Sequence, residues 1–251
     1  MGEIGHRLVQ YFWPYTDTPI PMGGLNTHTV MSTLLVIAVL WVFLFWAARR
    51  IQRIPGRGQM ALELLISAWE GLVASLLDER PQDDRRRILP IVMCLFLFVM
   101  VSNAIVFFPF YGVEEPTSDL NLTLGLAVMS LTYATYSGFR VRGVGGYLEE
   151  MCGPMFHQHD AKGMALVMGK LSGVAFFPLH TLGELSKIVS LSFRLFGNIL
   201  GAAVIMTVIF ALTYGTLTPL PMYGFFLIFE AFVQAFVFSM LTLIYTAVAI
   251  Q

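Results

Sequence analysis

The stretch Met164 to Leu212 is almost wholly apolar, yet it carries His180, Glu184, Lys187, Ser190, Arg194 and Asn198. At about 100° per residue these positions fall in one stripe about 120° wide on a helix. The guanidinium of Arg194 stays protonated at physiological pH, so it can act as a fixed positive charge and not as a proton carrier. Glu184 and His180 can take up and release protons. At bilayer depth an arginine costs about 2.5 to 3.5 kcal/mol on insertion scales and therefore faces protein or water. A hydrogen-bonded seam between helices would explain Ser190 as well as a transport role would. It does not explain Arg194. For Lys187 the plainer expectation is snorkelling, or an i+3 pair with Glu184 that has no part in transport.

A second stripe lies near the C-terminus. Glu230 and Gln234 are i and i+4, and Tyr245 falls eleven residues beyond Gln234 on nearly the same face. With Glu230 toward one side of the membrane and His180 and Glu184 toward the other, Arg194 falls between two sets of polar groups. Such an arrangement suits an ion route that must not be continuous, because the fixed cation repels a proton passing straight across. A carboxylate brought by another protein would bridge the gap by ionising beside Arg194, releasing a proton to one path and collecting another from the other.

The elements that position these groups follow from composition. Hydrophobic residues make up 57% of the 251 and charged residues only 12%, far below the roughly 25% charged fraction of soluble domains. An all-α integral membrane protein is expected, a single membrane domain over 1–251. Five spans are read at about 29–48, 88–108, 120–139, 164–212 and 221–249, the fourth long and tilted, with a kink expected at Pro178. The last two form a long tilted hairpin. In Gln59 to Leu77 the glutamates Glu63 and Glu70 interrupt the leucines at helical spacing, so this segment reads as an interfacial amphipathic helix that does not span. The run Asp83 to Arg87 reads as a solvated boundary.

Orientation comes from the basic residues, which mark cytoplasmic loops. The segment Ala47 to Leu89 holds Arg49, Arg50, Arg53, Arg57, Arg80, Arg85, Arg86 and Arg87. The turn with Glu114-Glu115-Pro116 has no basic residue, and Arg140, Arg142 and Lys162 mark the next loop, Gly143 to about Lys162. The N-terminus is thus expected outside and the C-terminus in the cytoplasm. The lead before the first span carries only Arg7, so that span is read as retained and not as a signal peptide.

Other chemistry is weakly supported. Cys94 and Cys152 have no CxxC spacing and suggest no disulfide. His157, His159 and Asp160 form a short metal-ligand pattern, but a solvated loop accounts for them, and no metal or cofactor is expected. Gly143 to Gly146 lacks the lysine of a phosphate loop, and nothing points to nucleic acid. A channel or secondary transporter acting alone remains the alternative, with Arg194 as its gate. It would conduct as a purified chain.

The run Leu191-Ser192-Phe193-Arg194-Leu195-Phe196-Gly197-Asn198, preceded by Glu184-Leu185-Ser186-Lys187, resembles the arginine motif of F-type ATP synthase subunit a. Phe96-Leu97-Phe98 through Ser102-Asn103 to Pro109, Pro116 through Asp119 to Thr123, and Gln234 to Phe238 with Leu241-Thr242 and Tyr245 extend the resemblance over four of the spans. It implies the ion-conducting stator subunit of a rotary motor, with two offset half channels packed against a c-subunit ring. It also implies the b subunits of the peripheral stalk, other F0 and F1 subunits and membrane lipid as partners. Carried over, Arg194 is the essential arginine, Asn198 its motif neighbour and Gln234 the facing glutamine, while Asn103 and Asp119 fall near the outer half channel. Leu227, Ala203 and Val106 depart from positions where family members carry polar groups, and Glu230, about one turn from Leu227, is expected to substitute. The short N-terminal lead and terminal Gln251 favour a bacterial inner membrane. The orientation makes a direct prediction: in a chain freed of Cys94 and Cys152, a cysteine replacing Val113 should react with an impermeant thiol reagent from the outside only. Labelling from the cytoplasm alone would reverse the topology.

Overall fold

The computed structural model describes residues 27–49, 51–52, 56–78, 81–105, 115–151, 164–213 and 219–250, without the side chains of 27–28, 144–151, 164–177, 219–220, 222–223 and 225–227. Arg7, Arg50, Arg53, Arg80, Val106, Pro109, Val113, Glu114, Cys152, His157, His159, Asp160, Lys162 and most of the turn after Leu212 lie outside the described residues, as does the side chain of Leu227. What is described is all-helical: α1 Thr27–Arg49, α2 Arg57–Leu76, α3 Gln82–Ala104, α4 Leu120–Met151, α5 Met164–Leu212 and α6 Pro219–Ile250, with a 3-10 turn at Pro116–Ser118.

Five of these, α1, α2, α3, the Pro178–Leu212 part of α5 and the Ile228–Ile250 part of α6, are long and apolar enough to cross a membrane. The set differs from the five spans read from sequence, since it includes α2 and leaves out α4. Length is not what excludes α4. Its asparagine, threonines, serines and tyrosines dilute the leucines, and those hydroxyls are used in packing.

Two helices exceed their expected bounds. Helix α3 starts at Gln82, so the run read as a boundary is its first turns. Asp83 and Asp84 lie there, where carboxylates complement the helix dipole. Helix α4 does not stop at Arg140 but runs to Met151 across a break at Gly143, whose φ of 77° is one that glycine adopts without penalty. The chain turns there and resumes a helix through the good helix formers Leu148, Glu149, Glu150 and Met151. Helix α5 has the expected limits and is continuous through Pro178.

Packing centres on α3, α4 and α6. Helix α6 lies against α3 and α4, and α4 also carries α5. Phe96 of α3 meets Phe232 of α6 edge to face at 6.0 Å and Trp69 of α2 at 5.4 Å, and Trp69 also reaches Phe236 at 5.8 Å. Through Trp69, Val73 and Leu77 one side of α2 is buried, while Glu63 and Glu70 on its other side stay exposed. Helix α1 buries only Ser32, Val36 and Leu40.

The polar seams follow from the solvent. Lipid tails are as apolar as leucine, so small and hydroxyl-bearing residues hold membrane helices together. The Thr123 and Ser192 hydroxyls join α4 to α5 at 3.2 Å, and those of Ser130 and Thr242 join α4 to α6 at 2.6 Å. All four residues are buried. A Ser130→Ala and Thr242→Val double-mutant cycle, measured by reversible unfolding in lipid–detergent micelles, should give a coupling of about 0.6 kcal/mol. Strict additivity would show that the contact does not hold the seam.

Candidate functional site

Helix α5 separates its faces sharply. Leu191, Ser192 and Leu195 are buried toward α4, whereas Phe193, Arg194, Gly197 and Asn198 are exposed one step around the helix. Among the described residues, nothing forms a hydrogen bond or ion pair with Arg194. Its guanidinium projects from an apolar surface that also includes Val189, Leu200 and Val204. A Cβ added at Gly197 or Gly201 would meet nothing within 4 Å. These two glycines, four apart on the same face, leave a shallow groove where another helix can approach closely. The sequence carries this spacing as G-x-x-x-G.

The part of the stripe N-terminal to Arg194 is internally paired. Lys187 Nζ donates to Glu184 Oε1 at 2.5 Å, and His180 Nε2 lies 3.7 Å from the same oxygen. This matches the i+3 pair expected for Lys187. The Lys187 ammonium also stands over the Tyr245 ring, 5.2 Å from its centroid, a cation–π arrangement that ties α5 to α6. Here the two polar stripes meet. Farther out they diverge, since Gln234 is buried with 5% exposure while Arg194 is exposed, and no hydrogen bond joins them.

Toward the N-terminal end of α6, Glu230 is half-buried, and its Oε1 is enclosed with no hydrogen-bond partner among the described residues. Asn103 of α3, 4% exposed, accepts a hydrogen bond at Oδ1 from Thr117 Oγ1 at 2.5 Å. Its Nδ2 and the neighbouring Ser102 Oγ have no described partner. Two residues from Thr117 stands Glu115, a group that periodicity could not single out because it lies in a turn. Burial, and then the nearby Glu230 carboxylate, push its carboxyl up to about 7. Its backbone is held by Ser118, whose N–H and hydroxyl both donate to the Glu115 carbonyl at 3.0 and 2.7 Å.

Asp119 is engaged in structure. Its Oδ1 accepts from the Asn121 N–H at 2.9 Å, capping α4, and its Oδ2 accepts from the Thr29 hydroxyl of α1 at 3.0 Å. Among the described residues no group of three or more metal-binding side chains occurs.

An all-helical bundle with apolar outer faces and hydroxyl-paired seams, whose Arg194 guanidinium has no partner among the described residues, is an integral membrane protein. It belongs to the ATP synthase A chain family, whose profile matches residues 29–247. Similar relatives include "ATP synthase subunit a" of Aliarcobacter butzleri, 36% identical over 92% of this chain and 92% of that one. Those of Campylobacter fetus subsp. fetus, at 34% over 90% and 92%, and Moorella thermoacetica, at 32% over 91% of each, bear the same name.

The Asp119 geometry carries a prediction. Asp119→Ala removes both the helix cap and the acceptor for Thr29, and should lower stability in lipid–detergent micelles by about 1 kcal/mol. Asp119→Asn keeps an acceptor and should cost less than half as much. Equal losses would mean that the charge, and not the cap, is what matters.

Proposed function

We propose that the chain is the ion-conducting stator subunit of a rotary F-type ATP synthase, a single membrane domain carrying protons across a bacterial inner membrane during ATP synthesis. The observation that carries this reading is the placement of Arg194: exposed, without a described partner, on an apolar helix face opened by Gly197 and Gly201. A permanent cation left on such a face calls for a counter-charge from outside the chain. A c-subunit ring presenting one carboxylate after another supplies it. The naming of the relatives as ATP synthase subunit a supports the same assignment.

In this reading α1, α3, α4, α5 and α6 span the membrane, with the N-terminus outside and the C-terminus in the cytoplasm. Helix α2 lies along the cytoplasmic interface, which suits its split between a buried Trp69 face and an exposed Glu63 and Glu70 face. The b subunits and the remaining F0 and F1 subunits complete the stator and motor, and lipid covers the rest of the apolar surface.

The proton enters from outside through groups near Asn103, Asp119 and Glu230, then passes to a c-subunit carboxylate that has swung away from Arg194. After nearly a full turn that carboxylate reaches the inner path of Glu184 and His180 and releases its proton. Next to Arg194 it stays ionised, because the guanidinium stabilises the anion. Asn198 and Gln234 flank the crossing point, and Lys187 and Tyr245 hold the inner ends of α5 and α6 in register. Arg194 cannot give up its own proton, so it blocks a direct leak while permitting rotation.

Arg194→Ala should abolish coupled ATP synthesis in membrane vesicles while the assembled complex is still recovered in normal amount. Near-normal synthesis by that variant would sink the assignment.

A further inference from the structure

Resting on the stator reading above, we propose that Thr117 is a positioning residue of the outer path, whose hydroxyl holds the Asn103 amide so that its NH2 group donates to a water molecule on the proton route. The two residues are 14 apart in sequence. Thr117 Oγ1 donates to Asn103 Oδ1 at 2.5 Å, joining the Pro116–Ser118 turn to the last turn of α3. Both side chains are buried, with Thr117 0% and Asn103 4% exposed.

The turn is built to hold that hydroxyl still. Pro116 opens it with a ring that fixes φ. The Ser118 N–H and hydroxyl both donate to the Glu115 carbonyl at 3.0 and 2.7 Å, and the Asp119 N–H donates to the Pro116 carbonyl at 3.3 Å. Directly after it, the Asp119 carboxylate is anchored by the Asn121 N–H and the Thr29 hydroxyl. The branched Cβ of a threonine restricts its χ1. The turn also packs on α1, α3, α4 and α5, so Thr117 stands on a support shared by four helices.

What the bond decides is the direction of the amide. A carboxamide carries an acceptor on one side and two donors on the other, and its two orientations have nearly the same shape. With Oδ1 taken by Thr117, Nδ2 faces the opposite way. There it has no hydrogen-bond partner among the described residues. A buried donor left unsatisfied costs about 1 to 3 kcal/mol and is rare in native proteins. The acceptor it calls for is one that fits a closed helix junction, and a buried water molecule meets that need.

The orientation matters for protons. A water that accepts from Nδ2–H has one lone pair occupied and both hydrogens turned away from Asn103. Were the amide reversed, Oδ1 would accept one of those hydrogens and hold it back. A proton arriving at the free lone pair forms one O–H bond as another breaks toward the next group of the path, and water and amide are returned unchanged. The carboxamide does not ionise, so its part is orientation and not carriage.

The test uses the whole complex in proteoliposomes, with ATP synthesis measured per assembled complex at fixed pH on both sides and fixed membrane potential. Thr117→Val keeps the shape, removes the donor, and should lower the rate about tenfold. Thr117→Ser keeps the hydroxyl and should stay within about twofold of the parent. Because Thr117 acts through Asn103, adding Thr117→Val to Asn103→Ala should cost nothing further, whereas a purely structural role would give the same loss in both backgrounds. Thr117→Ala takes the place of Thr117→Val should the latter fail to assemble, and Asn103→Ser carries the cycle should Asn103→Ala leave no measurable rate. A variant without the Thr117 hydroxyl that works at the parent rate overturns the proposal, as does an undiminished loss in the Asn103 background. Arg194→Ala run alongside separates the two claims: if it abolishes synthesis and Thr117→Val does not slow it, the positioning role fails and the stator reading stands. If Arg194→Ala synthesises ATP, the stator reading itself fails.

Discussion

A charge held at bilayer depth must be met by something, and none of the described residues meets the charge of Arg194. Desolvating a guanidinium without a counter-charge is costly, and unlike a lysine an arginine cannot escape by losing its proton. The described structure leaves Arg194 exposed on α5 while burying the neighbouring Leu191, Ser192 and Leu195 against α4. The fold is therefore electrostatically incomplete on one side. Its stable form in a membrane is one in which a partner or water reaches that side.

The rest of the bundle is organised to make that open side rigid. Without a hydrophobic force between helices in lipid, α4 uses its hydroxyls to grip both neighbours, Thr123 to Ser192 on α5 and Ser130 to Thr242 on α6. The aromatic contacts of Trp69, Phe96, Phe232 and Phe236 tie α2 and α3 to α6. Helix α4, too polar to count as a span on composition, is the element that places α5. Its polarity is the means by which it does so.

The two ends of the polar region differ in kind. The cluster at Glu184 is charge-balanced, with Glu184 shared by Lys187 and His180, and Lys187 resting over Tyr245. A balanced cluster of this kind holds its geometry. Elsewhere Glu115 and Glu230 have no basic partner among the described side chains, and the buried Asn103 Nδ2 and Ser102 Oγ have no hydrogen-bond partner among the described residues.

By itself the sequence determined the membrane class, the positions of the long helices and the stripe that puts His180, Glu184, Lys187 and Arg194 on one face. Apolar run length and a 3.6-residue period are properties of a single helix and need no partner to be read. The i+3 pair of Glu184 and Lys187 was legible for the same reason. Only the tertiary structure decided that Asp119 caps α4 and holds α1, that Gln234 is buried while Arg194 is exposed, and that burial pushes the Glu115 carboxyl up. Those facts depend on how helices far apart in sequence are rotated and stacked against each other. Periodicity says which residues share a face, but which face meets which neighbour is set by packing, and a turn residue such as Glu115 has no period at all.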